Sequence, residues 1–136
     1  MAFETAIAAH EAFYQALGNA DVELMTQVWK PVDDSVCIHP LWPPLIGHRD
    51  IFAAWKGMFQ ASPSMTVETE IICEQSTAHG CLHLVNETLI SALGQTSSPV
   101  VATNAYELTD NGWQMVLHHA SPTAVESSDH ANQPLH

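Results

Sequence analysis

The chain has 136 residues, 46% of them hydrophobic, and fifteen acidic residues against Lys30, Arg49 and Lys56, for a formal charge of −12. That length fits one domain with a real core. So few cations exclude a phosphate-neutralising nucleic-acid surface and disfavour an anionic membrane surface, and no apolar run reaches the length of a membrane span.

The acids read as a solvated surface. Nine histidines add positive charge below about pH 6.5. The N-terminal stretch lacks a basic region and is interrupted by Glu4 and Glu11, so no signal peptide is expected. Cys37, Cys73 and Cys81 are an odd set with no framework spacing and no metal-pair spacing with one another. They read as buried, reduced thiols of a cytoplasmic protein.

Residues 3–17 predict a first helix, because Phe3, Ala6, Ile7, His10, Tyr14 and Leu17 recur at helical spacing, with Phe13 beside them. Gly18 is the expected stop. Asn19 or Asp21 caps a short second helix carrying Leu24, Met25, Val28 and Trp29, which Pro31 ends. Asp33-Asp34 turns into a first strand, Ser35-Val36-Cys37-Ile38. His39 stands at its end, against Pro40 and a rigid loop holding Trp42, Pro43 and Pro44. After Gly47, Ile51, Phe52, Trp55, Met58 and Phe59 make one face of a third helix, closed by Ser62-Pro63-Ser64.

The period then changes to two. Met65, Val67, Thr69 and Ile71 alternate with Thr66, Glu68 and Glu70, and residues 79–91, 99–109 and 112–121 predict three further strands. Gly94 to Ser98 is a hairpin loop, and Asp110-Asn111-Gly112 a tight turn. Residues 1–122 form the domain, and the polar segment 123–136 is expected to be a disordered tail. Helices segregated from a run of strands mean α+β, with helices on one face of a curved antiparallel sheet and a concave space between.

Phe13 to Leu17 followed by Asn19-Ala20-Asp21, Trp29 followed by Asp33 to Val36 and His39-Pro40, Leu45-Ile46-Gly47 with Ile51 and Trp55, and Trp113 to Ser121 occur in that order. In this arrangement residues 5–121 resemble the SnoaL-like and ketosteroid-isomerase-like branches of the nuclear transport factor 2-like superfamily. The resemblance implies a cone: a bent antiparallel sheet wrapped around three N-terminal helices, enclosing a pocket, with a homodimer formed across the sheet. A fold hosts many functions, so the activity must come from the site.

Ketosteroid isomerases place an Asp-Pro, whose Asp is the general base, where this chain has His39-Pro40. They place an acidic hydrogen-bond donor where it has Asn104, and a Tyr donor on or next to Phe13, with Tyr14 one residue off. A His in place of the carboxylate and an amide in place of the acid point away from steroid isomerisation and toward a related chemistry.

His39 is the first candidate base, since imidazole moves protons in either direction near neutrality. The alternative is a strand-end histidine that satisfies a carbonyl. Of His118-His119, only one faces inward. The implied register selects His119 with Leu117 for the pocket and leaves His118 on the outer or dimer face. Asn104 is either a donor to a developing oxyanion or a structural bridge. Glu87 is either a buried acid or a surface ion-pair partner. Phe13, Tyr14, Trp55 and Tyr106 line the cavity or fill the core, and Trp42 sits at its rim. His39, His119 and Glu87 could in principle converge on a metal. Without an HExxH or CxxC motif, neither metal nor cofactor is expected.

The partner is therefore a small, largely apolar, uncharged molecule. Proton abstraction next to a carbonyl, as in an isomerase, cyclase or dehydratase, is the favoured activity. His39 would be the base, Asn104 the donor and His119 a second proton carrier. A non-catalytic ligand-binding domain, or an adaptor that uses the outer sheet face, stands as the alternative.

Overall fold

The computed structural model describes residues 2–62 and 64–124. Helix α1 (Ala6–Asn19) opens at Thr5, whose Oγ1 accepts from the Ala8 amide at 3.0 Å and so satisfies one of the free donors of the first turn. Its buried side carries Ala9, Ala12, Phe13 and Ala16, together with His10 and Tyr14. The helix does not stop at Gly18. It runs to Asn19, and Ala20 closes it in the left-handed conformation, at φ 53°. Gly18 serves a different need. The Met65 amide donates to its carbonyl at 2.9 Å, and a Cβ on Gly18 would stand 3.2 Å from the Met65 oxygen. The residue is small because the entry to the sheet passes over it.

Asp21 caps α2 (Val22–Val28) through a bond from the Leu24 amide. Strand β1 (Val36–Ile38) follows, and then β2 (Leu45–Ile46), a short strand inside what the sequence suggests is only a proline loop. The β1–β2 pairing, Val36 with Ile46 and Cys37 with Leu45, pins both ends of that loop. Helix α3 (His48–Ala61) leads to β3 (Thr66–Ser76), β4 (Gly80–Ile90), β5 (Val100–Thr109) and β6 (Gly112–Pro122).

The six strands are ordered β2-β1-β6-β5-β4-β3, with β1 parallel to β6 and every other pair antiparallel. Three helices against a curved, unclosed sheet make the α+β cone. The main core joins Phe13, Met25, Trp29, Ile51, Trp55, Val85, Tyr106 and Met115. No helix among the described residues is long and apolar enough to cross a membrane.

Two irregularities decide which side chains face the cone. In β6 the register shifts between the pairs Ala105–Leu117 and Tyr106–Met115, leaving Val116 as an extra residue. In β3 it shifts between Ile71–Val85 and Cys73–Leu84, leaving Ile72 extra. Each bulge exchanges the inner and outer sets of the residues beyond it. Cys73, expected to be buried, is therefore exposed, while Cys37 and Cys81 are buried.

The expected tail lies outside the described residues beyond Ala124. Thr123 is held by its amide on the Pro99 carbonyl at 2.9 Å.

Candidate functional site

On the concave face, β4 and β5 alternate strictly inward at Cys81, His83, Val85 and Glu87, and at Ala102, Asn104 and Tyr106. After the Val116 bulge the inward set of β6 becomes His118 and Ala120. His83, Asn104 and His118 thus pair side by side across three strands. Tyr14 reaches this face from α1.

Four buried polar side chains join there. The Tyr14 hydroxyl donates to Glu87 Oε2 at 2.5 Å, and Asn104 Nδ2 donates to the Tyr14 oxygen at 2.8 Å. Asn104 Oδ1 lies 2.6 Å from His118 Nδ1. An amide oxygen only accepts, so His118 carries its proton on Nδ1 and leaves Nε2 as an acceptor. The directions are coupled, because each group has one donor for each acceptor along the chain. With Glu87 ionised they run as described. With Glu87 protonated, its hydroxyl donates to Tyr14, Tyr14 to a rotated Asn104 amide, and Asn104 to His118 Nδ1, which moves the proton of His118 to Nε2. Burial, opposed by the Tyr14 bond, pushes the Glu87 carboxyl up to about 7, so both arrangements are reached near neutrality. Burial first and the Glu87 charge second push the Tyr14 phenol far above its ordinary value, which keeps it a neutral donor.

His39 enters from β1. Parity along that strand points Cys37 and His39 inward, and His39 Nε2 lies 3.8 Å from Cys37 Sγ. The ring is 3% exposed and stands edge-on to Trp55 at 4.6 Å and to Trp42 at 4.9 Å. Burial holds its pKa down at about 4. Burial, with His39 and His119 nearby, holds His118 at about 3. Both imidazoles are neutral at physiological pH. Trp55 also faces Phe13 and His118, and its Nε1 is buried without a protein partner, as is the Tyr106 hydroxyl.

The His39 loop has a special backbone. The Trp42 amide donates to the His39 carbonyl at 2.9 Å, closing a turn with Pro40 second and Leu41 third at φ 68°. Glycine or asparagine usually takes that third position. Leu41, a residue 90% exposed, occupies it, and the turn sets a half-exposed Trp42 over His39. A cavity of about 400 Å³ lies at the end of the sheet, lined among others by Ser62, Met65, Leu89 and Ser97. Leu89 is two residues from Glu87 on the same strand, so this cavity borders the network without including it.

The structure brings His39, Asn104, Phe13, Tyr14, Trp55 and Tyr106 into the cone and puts Trp42 at its rim. Two expectations are corrected. His119 is exposed and pairs with Thr103, and Leu117 pairs with Ala105, both opposite the face that holds Asn104. His118 takes the inward place instead. The cause is Val116, since uninterrupted alternation from Trp113 gives the wrong phase beyond it. Glu87 resolves as the buried acid rather than a surface partner. His10 and His83, buried beside one another with ring centroids 5.4 Å apart, were not legible as site residues because each sits within an ordinary apolar pattern.

Residues 7–125 match the family model of the SnoaL-like domain, more than half of the chain. The chain belongs to the SnoaL-like domain family.

This SnoaL-like domain is similar to a solved structure from Thiobacillus denitrificans described as a putative calcium/calmodulin-dependent protein kinase type II association domain. The two are 36% identical with a TM-score of 0.85, over 91% of this chain and 99% of that one. It is also similar to a putative dehydratase of the NTF2-like family from Streptomyces avermitilis, at 28% identity and TM-score 0.77, over 86% and 92% of the two chains. Among curated proteins it matches the F-box protein SKIP8 of Arabidopsis thaliana, 22% identical over 125 residues, 88% of this chain. It spans about half, 50%, of that relative's length.

Proposed function

We propose that this SnoaL-like domain binds a small, largely apolar, uncharged carbonyl compound inside the cone and moves a proton at the carbon next to that carbonyl. His39 is the base. The carrying observation is the pairing of a buried, neutral imidazole with an adjacent buried donor, Trp55 Nε1, that has no protein partner. A buried unpaired donor costs about 1–3 kcal/mol, and a ligand oxygen placed there removes that cost while the carbonyl gains a hydrogen bond as negative charge develops on it. Asn104 is a positioning residue, since it holds Tyr14 and His118 in one chain. His118 Nε2, left as an acceptor, is the second proton carrier in place of His119. Trp42, on its strained turn, is the group that moves aside to admit the ligand. The similarity to the structure described as a putative dehydratase of the NTF2-like family supports the same class of chemistry.

The test is solvent-deuterium incorporation, followed by proton NMR, into a panel of uncharged cyclic ketones and enones. Exchange beyond the buffer rate, lowered about 10²- to 10⁴-fold in His39→Gln with the fold intact, is the expected result. Exchange that is equal in wild type and His39→Gln removes His39 from the mechanism.

A second reading is an association domain without catalysis. Its support is the outer sheet face, where Leu82, Leu84, Val101, Ala105 and Leu117 stand only half-buried next to one another, together with the name of the 36%-identical neighbour. Both readings include a homodimer across that face in a cytoplasmic protein. Sedimentation of wild type and Leu84→Glu checks it, a dimer becoming a monomer. In the second reading that change abolishes function, and His39→Gln leaves it untouched.

A further inference from the structure

A second cluster lies on the concave face, next to the network above, since His83 pairs across the strands with Asn104. Cys81 and His83 are two apart on β4 and point the same way, both buried. Across from them the Ile72 bulge brings Glu74 opposite His83. Without that extra residue Cys73 would occupy the place and Glu74 would face outward. The result is three donors of three kinds converging from two paired strands, each within 4.8 Å of the others.

The geometry points to a mononuclear site for a zinc-like divalent cation, held by Glu74 Oε2, Cys81 Sγ and His83 Nε2, with a fourth position open to solvent. A tetrahedral zinc holds sulfur at about 2.3 Å and nitrogen or oxygen at about 2.0–2.2 Å, which sets donor–donor edges of about 3.3–3.6 Å. Here sulfur to nitrogen is 3.4 Å and sulfur to carboxylate oxygen 3.7 Å. The nitrogen–oxygen edge is 2.7 Å, a hydrogen bond that a cation must open by about 0.6 Å. The partner that has to move is the free one. The Glu74 side chain is 46% exposed, whereas His83 is fully buried and fixed on its strand. Metal binding leaves the His83 proton on Nδ1. That atom is buried without a partner, so nothing on that side fixes the other tautomer.

The donor set selects the ion. Thiolate with imidazole and one carboxylate suits zinc or cobalt and disfavours calcium or magnesium, which take oxygen ligands. Thiolate and carboxylate together neutralise a dication, and the chain's charge of −12 attracts it. Three protein ligands leave the coordination position that catalytic zinc sites give to water or substrate. It faces a cleft of about 280 Å³ next to the start of α1, lined by Glu4, Thr5, Ile7, Ser76 and Trp113. The ligand that fits there is a small donor such as water or a carboxylate, and the site does not depend on the proton-transfer reading.

Chelator-treated full-length protein is titrated with cobalt(II), and the sulfur-to-cobalt charge-transfer band and the visible bands of tetrahedral cobalt are followed, with zinc as competitor. One equivalent with a thiolate band, displaced by zinc, is expected. Cys81→Ser removes the band. Glu74→Gln, a half-exposed position that leaves the core untouched, weakens binding at least tenfold. Cys73→Ser, on the outer face, keeps the band. Absence of a thiolate band in wild type, or an unchanged titration in Glu74→Gln, overturns the site. So does loss of the band in Cys73→Ser, which would assign the cobalt to the exposed thiol.

Discussion

The two polar clusters on the concave face are built on opposite terms. Glu87, Tyr14, Asn104 and His118 are 4%, 7%, 0% and 3% exposed and bond to one another in an unbroken linear chain. Glu74, Cys81 and His83 share two buried members, but the third is half in solvent and the cluster opens onto a cleft. In the sealed cluster a lost partner strands a buried group, so it is costly to disturb and sensitive to protonation. In the open cluster water replaces whatever is removed. One sheet face thus supports a rigid proton chain and an adaptable ligand set, distinguished by the solvent reaching one carboxylate.

The largest expected effect is on pH dependence. His39, His10 and His118 are held at about 4, about 4 and about 3. Between pH 4 and 6.5 the unfolded chain therefore binds more protons than the folded one. The stability these residues carry is full above about pH 6.5 and is lost as pH falls through the folded values. Unfolding free energies from urea titrations at pH 7 and pH 4.5 are expected to differ by on the order of 5 kcal/mol. Equal free energies would mean that the sealed face admits water.

Next comes truncation. Asn104→Ala breaks two buried bonds and is expected to cost about 3 kcal/mol, against under about 1 kcal/mol for Glu74→Ala. Similar costs by urea unfolding would erase the contrast between the clusters.

A smaller effect sharpens it. With Glu87 raised to about 7, the stability tied to its neutral form is full below about pH 4.5 and lost as pH rises through 7. Glu87→Gln is therefore expected to exceed wild type by about 1–2 kcal/mol at pH 8 and to lose that advantage at pH 5. In wild type, nitrogen-15 shifts of His118 should pass from one tautomer to the other across neutral pH, and in Glu87→Gln they should not. The smallest effect is at the rim. Leu41→Gly relieves a left-handed leucine, expected to gain about 0.5–1 kcal/mol of stability by thermal unfolding while loosening Trp42 over His39.

The sequence by itself determined the class of elements, their order and most of their bounds, because helical spacing in α1 and α3 and the alternation that opens β3 are local properties of the chain. It also singled out Asn104 and Tyr106 and placed His39 at a strand end beside the proline loop. The short β2 and the true end of α1 were beyond it, since Leu45-Ile46 becomes a strand only by pairing with β1, and Gly18 stays small for Met65, far along the chain. Above all, tertiary structure decided the phase of β3 and β6. One extra residue at Ile72 and one at Val116 are taken up as bulges, while the β4–β5 ladder between them keeps its register. Each reverses every side chain beyond it, which removes His119 and Leu117 from the cone, admits His118, and sets Glu74 beside Cys81 and His83.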